Sequence, residues 1–313
     1  MQKAIIFLNM GAPRDLDEVE VFLHNMFNDK NIITVKSDLL RSYIAYSIIK
    51  KHKEDAKSNY EKIGGFSPLV ANTEIFLKNV KKEFPDHYVI NIMRYTEPFA
   101  FEEVKWLQLK GVELITVIPL YPQYSTTTTK SSLEDLYEAL SAANFSPSMK
   151  IITRFYKNRN YNLAIIKQIR KSLKERKAQD FDLIFSAHSL PQKIIDNGDP
   201  YQKEIIENVT ILQDMLKEEG LDFKNVHLAY QSKLGPQKWL SPSLEDKLRE
   251  IKNKKVIIYP ISFILDNSET DYELDIEYKE IASQLGFKEY RVAKCLNDSP
   301  LFIDAIKEIV NLT

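Results

Sequence analysis

Cysteine is nearly absent from this sequence, which has one thiol, Cys295, among 313 residues. A single cysteine excludes a disulfide framework within the chain and any metal site built from several thiolates. It also excludes an iron–sulfur cluster held by four cysteines of this chain. An excess of charge is missing too. Because the formal net charge is −1, a nucleic-acid partner gains no general electrostatic support, and we expect none.

Long apolar runs are also missing. No run approaches the roughly 20 residues that are needed to span a bilayer. The opening stretch MQKAIIFLNMGAP lacks the length and the cleavage site of a signal peptide. We therefore expect a cytoplasmic protein, with peripheral contact at the inner face of the membrane left open. The 44% hydrophobic and 28% charged content is typical of a globular chain.

Short β-rich runs alternate with helical patterns along the chain. The runs lie at residues 4–9, 88–93, 113–120, 150–156, 182–187, 225–230 and 255–263. Strands that are apolar throughout and alternate with helices predict a parallel sheet covered on both faces. The predicted fold class is therefore α/β, doubly wound.

A weak internal repeat predicts how the chain is divided. AIIFLNMGAP (4–13) and DLIFSAHSLP (182–191) share a strand, a turn of small residues and a proline. We expect two similar α/β halves facing one another across a cleft, an N-terminal half over 1–148 and a C-terminal half over 149–313. The first half carries an insertion near 31–70, and the last helix packs back on it. Ligands in such sheets bind beyond the carboxyl ends of the strands.

Two groups of side chains follow predicted strands. His188 ends an apolar strand in FSAHSLP, where an imidazole can accept a proton or bind a metal, although such a histidine more often bonds only to backbone. In LDNSETDYELDIEYKEI (265–281), helical spacing places Glu269, Glu273 and Glu277 on one face, after Asp266. This row is either a solvated acidic face or a file of carboxylates that concentrates cations and relays protons.

Other segments favour a flat or anionic ligand without deciding for it. The hydroxyl run in PLYPQYSTTTTKSS (119–132) is either an anion cradle at a helix start or a plain capping signal. It has no glycine, which excludes a phosphate-binding P-loop. Trp239 in AYQSKLGPQKWLSP (229–242) either stacks on a flat ligand or covers the core.

Taken together, these stretches resemble ferrochelatase, the family of enzymes that insert ferrous iron into a porphyrin. The matching motifs are LNMGAP (8–13), YEKIGGFSPL (60–69), MRYTEP (93–98), PLYPQYSTTTTKSSL (119–133), FSAHSLP (185–191), GDPY (198–201), AYQSKLGPQKWLSP (229–242) and SETDYELDIEY (268–278). They cover essentially the whole chain in family order. The resemblance implies two Rossmann-like, chelatase-like halves that grip the porphyrin, and a lyase of haem biosynthesis. It also implies no ATP, no resident cofactor and no iron–sulfur cluster.

The resemblance also implies roles for single residues. His188 and Glu269 are expected to be catalytic and to bind the metal, and Asp266, Glu273 and Glu277 are expected to line a proton or metal path. The expected porphyrin-binding residues are Met10, Tyr60, Ser67, Arg94, Tyr95, Tyr124, Ser232, Lys233 and Trp239. Met10 stands where the coproporphyrin-using branch has tyrosine. The expected substrates are therefore protoporphyrin IX and Fe²⁺.

Three positions depart from the family pattern. Asn267 and Glu97 stand where members often have histidine, and Phe66 stands where many have a third glycine. These departures leave the metal path and the metal preference open. The alternatives are a coproporphyrin ferrochelatase, a sirohydrochlorin cobalt or nickel chelatase, and a non-catalytic porphyrin or haem carrier.

Two further partners are expected on this interpretation: a membrane surface and, transiently, the preceding enzyme of the pathway. Segment 31–70 is either an apolar lip that contacts a membrane or an amphipathic helix packed on the core. The second interpretation is favoured.

Overall fold

The computed structural model describes residues 1–311 of the chain, which divide into two compact units. The first unit comprises Met1–Thr153 together with residues 306–311, and the second comprises Arg154–Ala305. Each unit contains a four-stranded parallel sheet.

The strands of the first sheet are β1 (Gln2–Asn9), β2 (His87–Met93), β3 (Val112–Pro119) and β4 (Ser148–Ile151). Those of the second are β5 (Asp182–His188), β6 (Asn225–Gln231), β7 (Lys255–Pro260) and β8 (Glu289–Val292). The spatial orders are β2-β1-β3-β4 and β6-β5-β7-β8. Because the two orders are the same, the topology repeats between the units, as the paired strand motifs predict.

The helices of the first unit are α1 (Glu18–Phe27), α2 (Asp38–Glu61), α3 (Leu69–Glu83), α4 (Ala100–Leu109) and α5 (Ser131–Ala142). Those of the second are α6 (Arg159–Leu173), α7 (Gln192–Asp196), α8 (Tyr201–Glu218), α9 (Leu244–Glu250) and α10 (Tyr278–Gln284). Helix α11 spans Pro300–Asn311, and π-helical turns at Thr126–Lys130 and Glu269–Glu277 lead into α5 and α10.

Apolar side chains on both faces of the strands explain the layered packing, since a strand covered on both sides needs no polar face. In β1, Ile6 and Leu8 belong to a core that α4 and α5 complete with Val104 and Leu136. Phe7 points the other way and meets Phe76 of α3 edge-on, with ring centroids 4.9 Å apart. The predicted α/β class is confirmed.

Element limits differ from the prediction by more than two residues in three places. The strand predicted at 150–156 is wrong in extent, because β4 ends at Ile151. The run predicted to 263 ends at Pro260 in β7. Strand β8 has no predicted counterpart, because EYRV mixes charged and apolar residues over four positions only.

The insertion contains a long helix, α2, which is packed on one side only. Ala45 and Ile49 are buried against Phe27 of α1, whereas Leu39 and Tyr43 are 87% and 69% exposed. The expected packing on the core therefore holds for the middle of the helix. Within residues 1–311, no helix combines the length and the apolar character needed to cross a membrane.

Candidate active site

His188 and Glu269 meet at the carboxyl end of the second sheet. His188 is the last residue of β5, and Glu269 opens the π-helical turn that follows β7. The imidazole Nδ1 lies 2.9 Å from Glu269 Oε2. Because an ionised carboxylate can only accept, Nδ1 carries the proton of this bond. The bond therefore leaves Nε2 of the imidazole to accept a proton or bind a metal ion.

Ser232 joins this pair to a second carboxylate. Its hydroxyl lies 3.0 Å from Glu269 Oε2 and 2.5 Å from Glu273 Oε2. Its backbone N–H donates to Glu273 Oε1 at 2.7 Å, and the Gln231 amide donates to Glu273 Oε2 at 3.1 Å. One hydroxyl has one proton to give. Both carboxylate contacts are satisfied when Glu273 is protonated and donates to Ser232, which donates to Glu269.

The pKa shifts agree with this donor order. Burial, together with the negative charge of Glu269, raises the pKa of Glu273 to about 7. Burial would raise the pKa of Glu269 as well, but His188 and the Ser232 hydroxyl outweigh it and lower that pKa. Burial would lower the pKa of His188, but the Glu269 carboxylate outweighs burial and raises it.

The loop before the π-helical turn is fixed by two side chains. Asn267 Oδ1 accepts the backbone N–H groups of Glu269 (2.8 Å) and Thr270 (3.2 Å), which is the role of a helix cap. Asp266 is buried and accepts the N–H of Cys295 at 3.0 Å and the amide of Asn297 at 2.9 Å. Asn267 thus has a structural function at the position where a histidine is often found, and Asp266 anchors a neighbouring loop.

A buried carboxylate holds two of the predicted porphyrin residues of the first unit, Arg94 and Tyr95. The side chain of Asp29 is fully buried and accepts the Tyr95 hydroxyl at 2.9 Å. Arg94 lies 3.4 Å from the same carboxylate and 3.4 Å from Asp135, and it donates to the Ser131 hydroxyl at 3.1 Å. Ser131 also donates to Asp29. The guanidinium is therefore held on several sides.

Met10 lies beside this network. The backbone N–H of Tyr95 donates to Met10 O at 2.9 Å, directly beyond the ends of β1 and β2. The turn needs Gly11, whose φ is +85°. A Cβ at Gly11 would lie 2.3 Å from the Thr96 hydroxyl. Met10, Arg94 and Tyr95 are thus brought together, because they follow the carboxyl ends of two neighbouring parallel strands.

Comparison with known proteins agrees with the motifs. A family model described as Ferrochelatase matches residues 2–313. A ferrochelatase of Sulfurimonas denitrificans is 52% identical over 98% of both chains. One from Nitratiruptor sp. is 53% identical over 98% of both chains, and one from Helicobacter pylori strain P12 is 44% identical over 99% of this chain and 93% of its own.

The chain belongs to the ferrochelatase family. Solved structures show the same fold at low sequence identity. The sirohydrochlorin chelatase SirB from Bacillus subtilis subspecies spizizenii, in complex with cobalt, has a TM-score of 0.60 and 12% identity, and covers 98% of this chain and 93% of its own. CbiX, described as the terminal enzyme of sirohaem biosynthesis in denitrifying bacteria, has a TM-score of 0.54 and 12% identity over 98% of both chains. These likenesses confirm the chelatase-like architecture of a ferrochelatase.

Several residues expected to bind porphyrin also have structural contacts. Ser67 is buried, and its hydroxyl accepts the N–H of Leu69 at the start of α3, at 3.3 Å. Tyr60 is buried near the end of α2, and its carbonyl accepts the N–H of Gly65 at 2.8 Å. Tyr124 is half-buried just before the π-helical turn of α5. Porphyrin binding by these residues stays a prediction.

The last predicted residues lie in the second unit. Trp239 is half-buried and forms an isolated backbone bridge with Pro191, three residues after His188. Lys233 is partly exposed, and its Nζ lies 3.9 Å from Asp246. Glu277 is exposed at the end of the π-helical turn. Among residues 1–311, no three His, Cys, Asp or Glu side chains are grouped as ligands of one metal.

The other two departures from the family pattern lie at the surface. Glu97 pairs with Arg14 at 3.2 Å, and Phe66 is 49% exposed.

Sequence reasoning did not find Asp29, Ser131 or Gln231. Asp29 stands in the unremarkable stretch FNDKN. Its burial depends on contacts with residues 66 and 102 positions away, which no local pattern reveals.

Proposed function

We propose that this ferrochelatase inserts Fe²⁺ into protoporphyrin IX, with release of two protons, in haem synthesis. Iron insertion follows from the family, and protoporphyrin IX is the finer part of the proposal. The observation that supports the insertion chemistry is the His188–Glu269 pair, which is linked through the Ser232 hydroxyl to Glu273. Two pyrrole protons must leave the macrocycle, and this set of groups can take protons near neutral pH.

His188 is suited to act as the base. Its Nδ1 is engaged by Glu269, so Nε2 is the atom that accepts a pyrrole proton. The neighbouring carboxylate raises the imidazole pKa, which makes the ring a stronger base and stabilises the imidazolium that forms. Glu269 thereby orients the ring and balances its charge.

Glu273 is suited to pass protons onward. A group with a pKa of about 7 can both accept and give a proton near neutral pH. The Ser232 hydroxyl lies within hydrogen-bond distance of both carboxylates. Once Glu273 has released its own proton, Ser232 can give its proton to Glu273 and take one from Glu269, so a proton moves between the carboxylates without a large displacement. In this proposal the acidic row predicted from the sequence acts as a relay.

The iron in this proposal is a substrate, and the protein needs neither ATP nor a resident cofactor. Imidazole and carboxylate are both ligand types for Fe²⁺. Because Glu269 is bonded to Nδ1 of His188, Nε2 of the imidazole and the carboxylate would each meet the ion singly, Nε2 before it takes a proton. Such a site holds the ion loosely, which suits an ion that must be transferred to the porphyrin nitrogens. The chain has a single cysteine, and it is buried.

The first experiment is anaerobic turnover of protoporphyrin IX with Fe²⁺ by the native chain, His188→Ala and Glu269→Gln. Glu280→Gln, an exposed glutamate on α10, is the matched control. We expect haem formation by the native chain and the control, and its loss in the other two variants while porphyrin binding is retained. Porphyrin binding without insertion of iron, zinc or cobalt would leave a carrier. Turnover of coproporphyrin alone would overturn the substrate.

Peripheral membrane contact is a further part of this proposal. Leu39, Leu40, Tyr43 and Tyr46 of α2 are at least half exposed, and the run KKHK follows at residues 50–53. Exposed apolar side chains beside cations are typical of helices that lie on anionic lipid. Co-sedimentation with vesicles containing an anionic lipid, compared between the native chain and Leu39→Ser, tests it. Transient contact with the preceding enzyme would serve the same poorly soluble substrate.

A further inference from the structure

The backbone of His188 stands at the point where one neighbouring strand has ended. On one side, β5 stays in register with β6 as far as His188 and Gln231. On the other side, its pairing with β7 stops at Ser186 and Pro260. In a parallel sheet, successive residues turn their N–H and C=O groups to opposite neighbours. The backbone of Ser189 bonds toward β6 and that of Ser186 toward β7. The N–H and C=O groups of His188 therefore point to the side where β7 has ended.

Two hydroxyl groups take the place of the missing strand. The N–H of His188 donates to Ser262 Oγ at 3.1 Å, and the Tyr201 hydroxyl donates to His188 O at 2.9 Å. The two hydroxyl oxygens are 2.6 Å apart. Since Tyr201 gives its proton to the carbonyl, Ser262 must donate to Tyr201. The three groups form a closed circuit in which each donates once and accepts once.

We propose that Tyr201 and Ser262 are positioning residues for His188. By holding both backbone groups of the histidine, the two hydroxyls set the distance between its imidazole and Glu269. The inference rests on the proposed function, in which His188 is the base.

Both hydroxyls are themselves held in place. Tyr201 is buried at the first turn of α8, where its N–H donates to Asp199 Oδ1 at 2.9 Å. Burial raises the pKa of Tyr201, so the phenol keeps the proton that it gives to His188. Ser262 is half-buried, two residues after Pro260 at the end of β7. Helix α8 and the end of β7 thus meet at the backbone of His188.

The test removes one hydroxyl at a time, in Tyr201→Phe and Ser262→Ala, and then both. Tyr156→Phe is the matched control, because that phenol donates to Glu207 at 2.7 Å and lies outside the circuit. We expect kcat of each single variant to fall about tenfold or more, because a misplacement of about 1 Å can cost roughly 100-fold. KM for the porphyrin should change by less than about twofold, since uniform binding is untouched.

Two further results separate positioning from general stability. Either substitution removes the bond between the two hydroxyls and opens the circuit, so the double variant should lose less than the two single losses combined, which departs from additivity. Ser262→Thr keeps a hydroxyl and should restore most of kcat. Tyr156→Phe should keep wild-type kcat. A folded Tyr201→Phe and Ser262→Ala with wild-type kcat would overturn the proposal, as would additive losses or a control that loses as much activity.

A readout without turnover distinguishes this proposal from the function itself. The proton signals of the His188 ring, assigned with His188→Ala, report its bond to Glu269 in the free protein. We expect these signals to broaden or shift in Tyr201→Phe and Ser262→Ala and to stay in place in the control. Unchanged signals would refute the positioning. A native chain that inserts no metal would refute the function alone.

Discussion

Glu273 should make the second unit less stable as the pH rises. Its pKa is about 7 in the folded protein, against 4.5 for an ordinary glutamate. A carboxyl group with a raised pKa favours the folded state below its unfolded pKa, and this stabilisation is lost as the pH rises through the folded pKa. Between pH 5 and pH 8, the two values give a loss of at most about 2–3 kcal/mol in the free energy of unfolding.

Glu273→Gln removes this titration. The amide keeps the side-chain length and can still accept the Ser232 N–H, although it loses the favourable contact with the Gln231 amide. That loss is a constant at every pH. The useful quantity is therefore the change in stability between pH 5 and pH 8, which should be smaller in the variant by roughly 2 kcal/mol. Groups that titrate in both proteins cancel to a first approximation.

The assay is urea unfolding at several pH values, followed by tryptophan fluorescence. The chain has two tryptophans, Trp106 in α4 and Trp239 in the second unit. A Trp106→Phe background therefore reports the unit that holds Glu273. Glu280→Gln, at an exposed position, should keep the wild-type slope. Equal slopes in the wild type and Glu273→Gln would show that Glu273 is already ionised at pH 5 and is no proton relay near neutral pH.

Three further predictions concern single contacts. Asp29→Asn leaves Arg94 without its buried partner, and the free energy of unfolding should fall by about 3 kcal/mol; urea unfolding with near-wild-type stability would contradict this. Glu269→Gln removes the charge that raises the pKa of His188. An NMR titration should therefore give a lower His188 pKa in this variant than in the wild type. Gly11→Ala forces a Cβ at φ +85° to within 2.3 Å of a threonine hydroxyl, and should cost about 1–3 kcal/mol in thermal unfolding; an unchanged melting temperature would show that this turn can relax.

The four-residue spacing of Glu269, Glu273 and Glu277 predicts that the three carboxylates lie together, and the structure brings the first two together. An α-helix places residues i and i+4 on one face, but the segment Glu269–Glu277 is π-helical. A π-helix has more residues per turn, because its hydrogen bonds run from i to i+5. Glu269 and Glu273 still meet, through Ser232. Glu277 ends at an exposed position, a difference that periodicity alone does not reveal.

Motifs located the central pair because both residues follow strands. His188 comes at the end of an apolar run and Glu269 after the next parallel strand in the sheet, so their proximity follows from topology. Asp29 gave no such signal. A lone aspartate in a loop is usually exposed, and only long-range contacts with Tyr95 and Ser131 make it the buried centre of a network.

The sequence by itself determined the α/β class, the repeat of strand topology, the family and the choice of His188 and Glu269 as the candidate pair. Each of these depends on local patterns of apolar residues and on short motifs. Only the tertiary structure decided which groups share protons. A pKa depends on burial and on neighbours a few ångströms away, and the contacts that set it for Glu273 come from residues 41 and 42 positions earlier in the chain. The closed circuit around His188 likewise exists only because α8 and the end of β7 meet there.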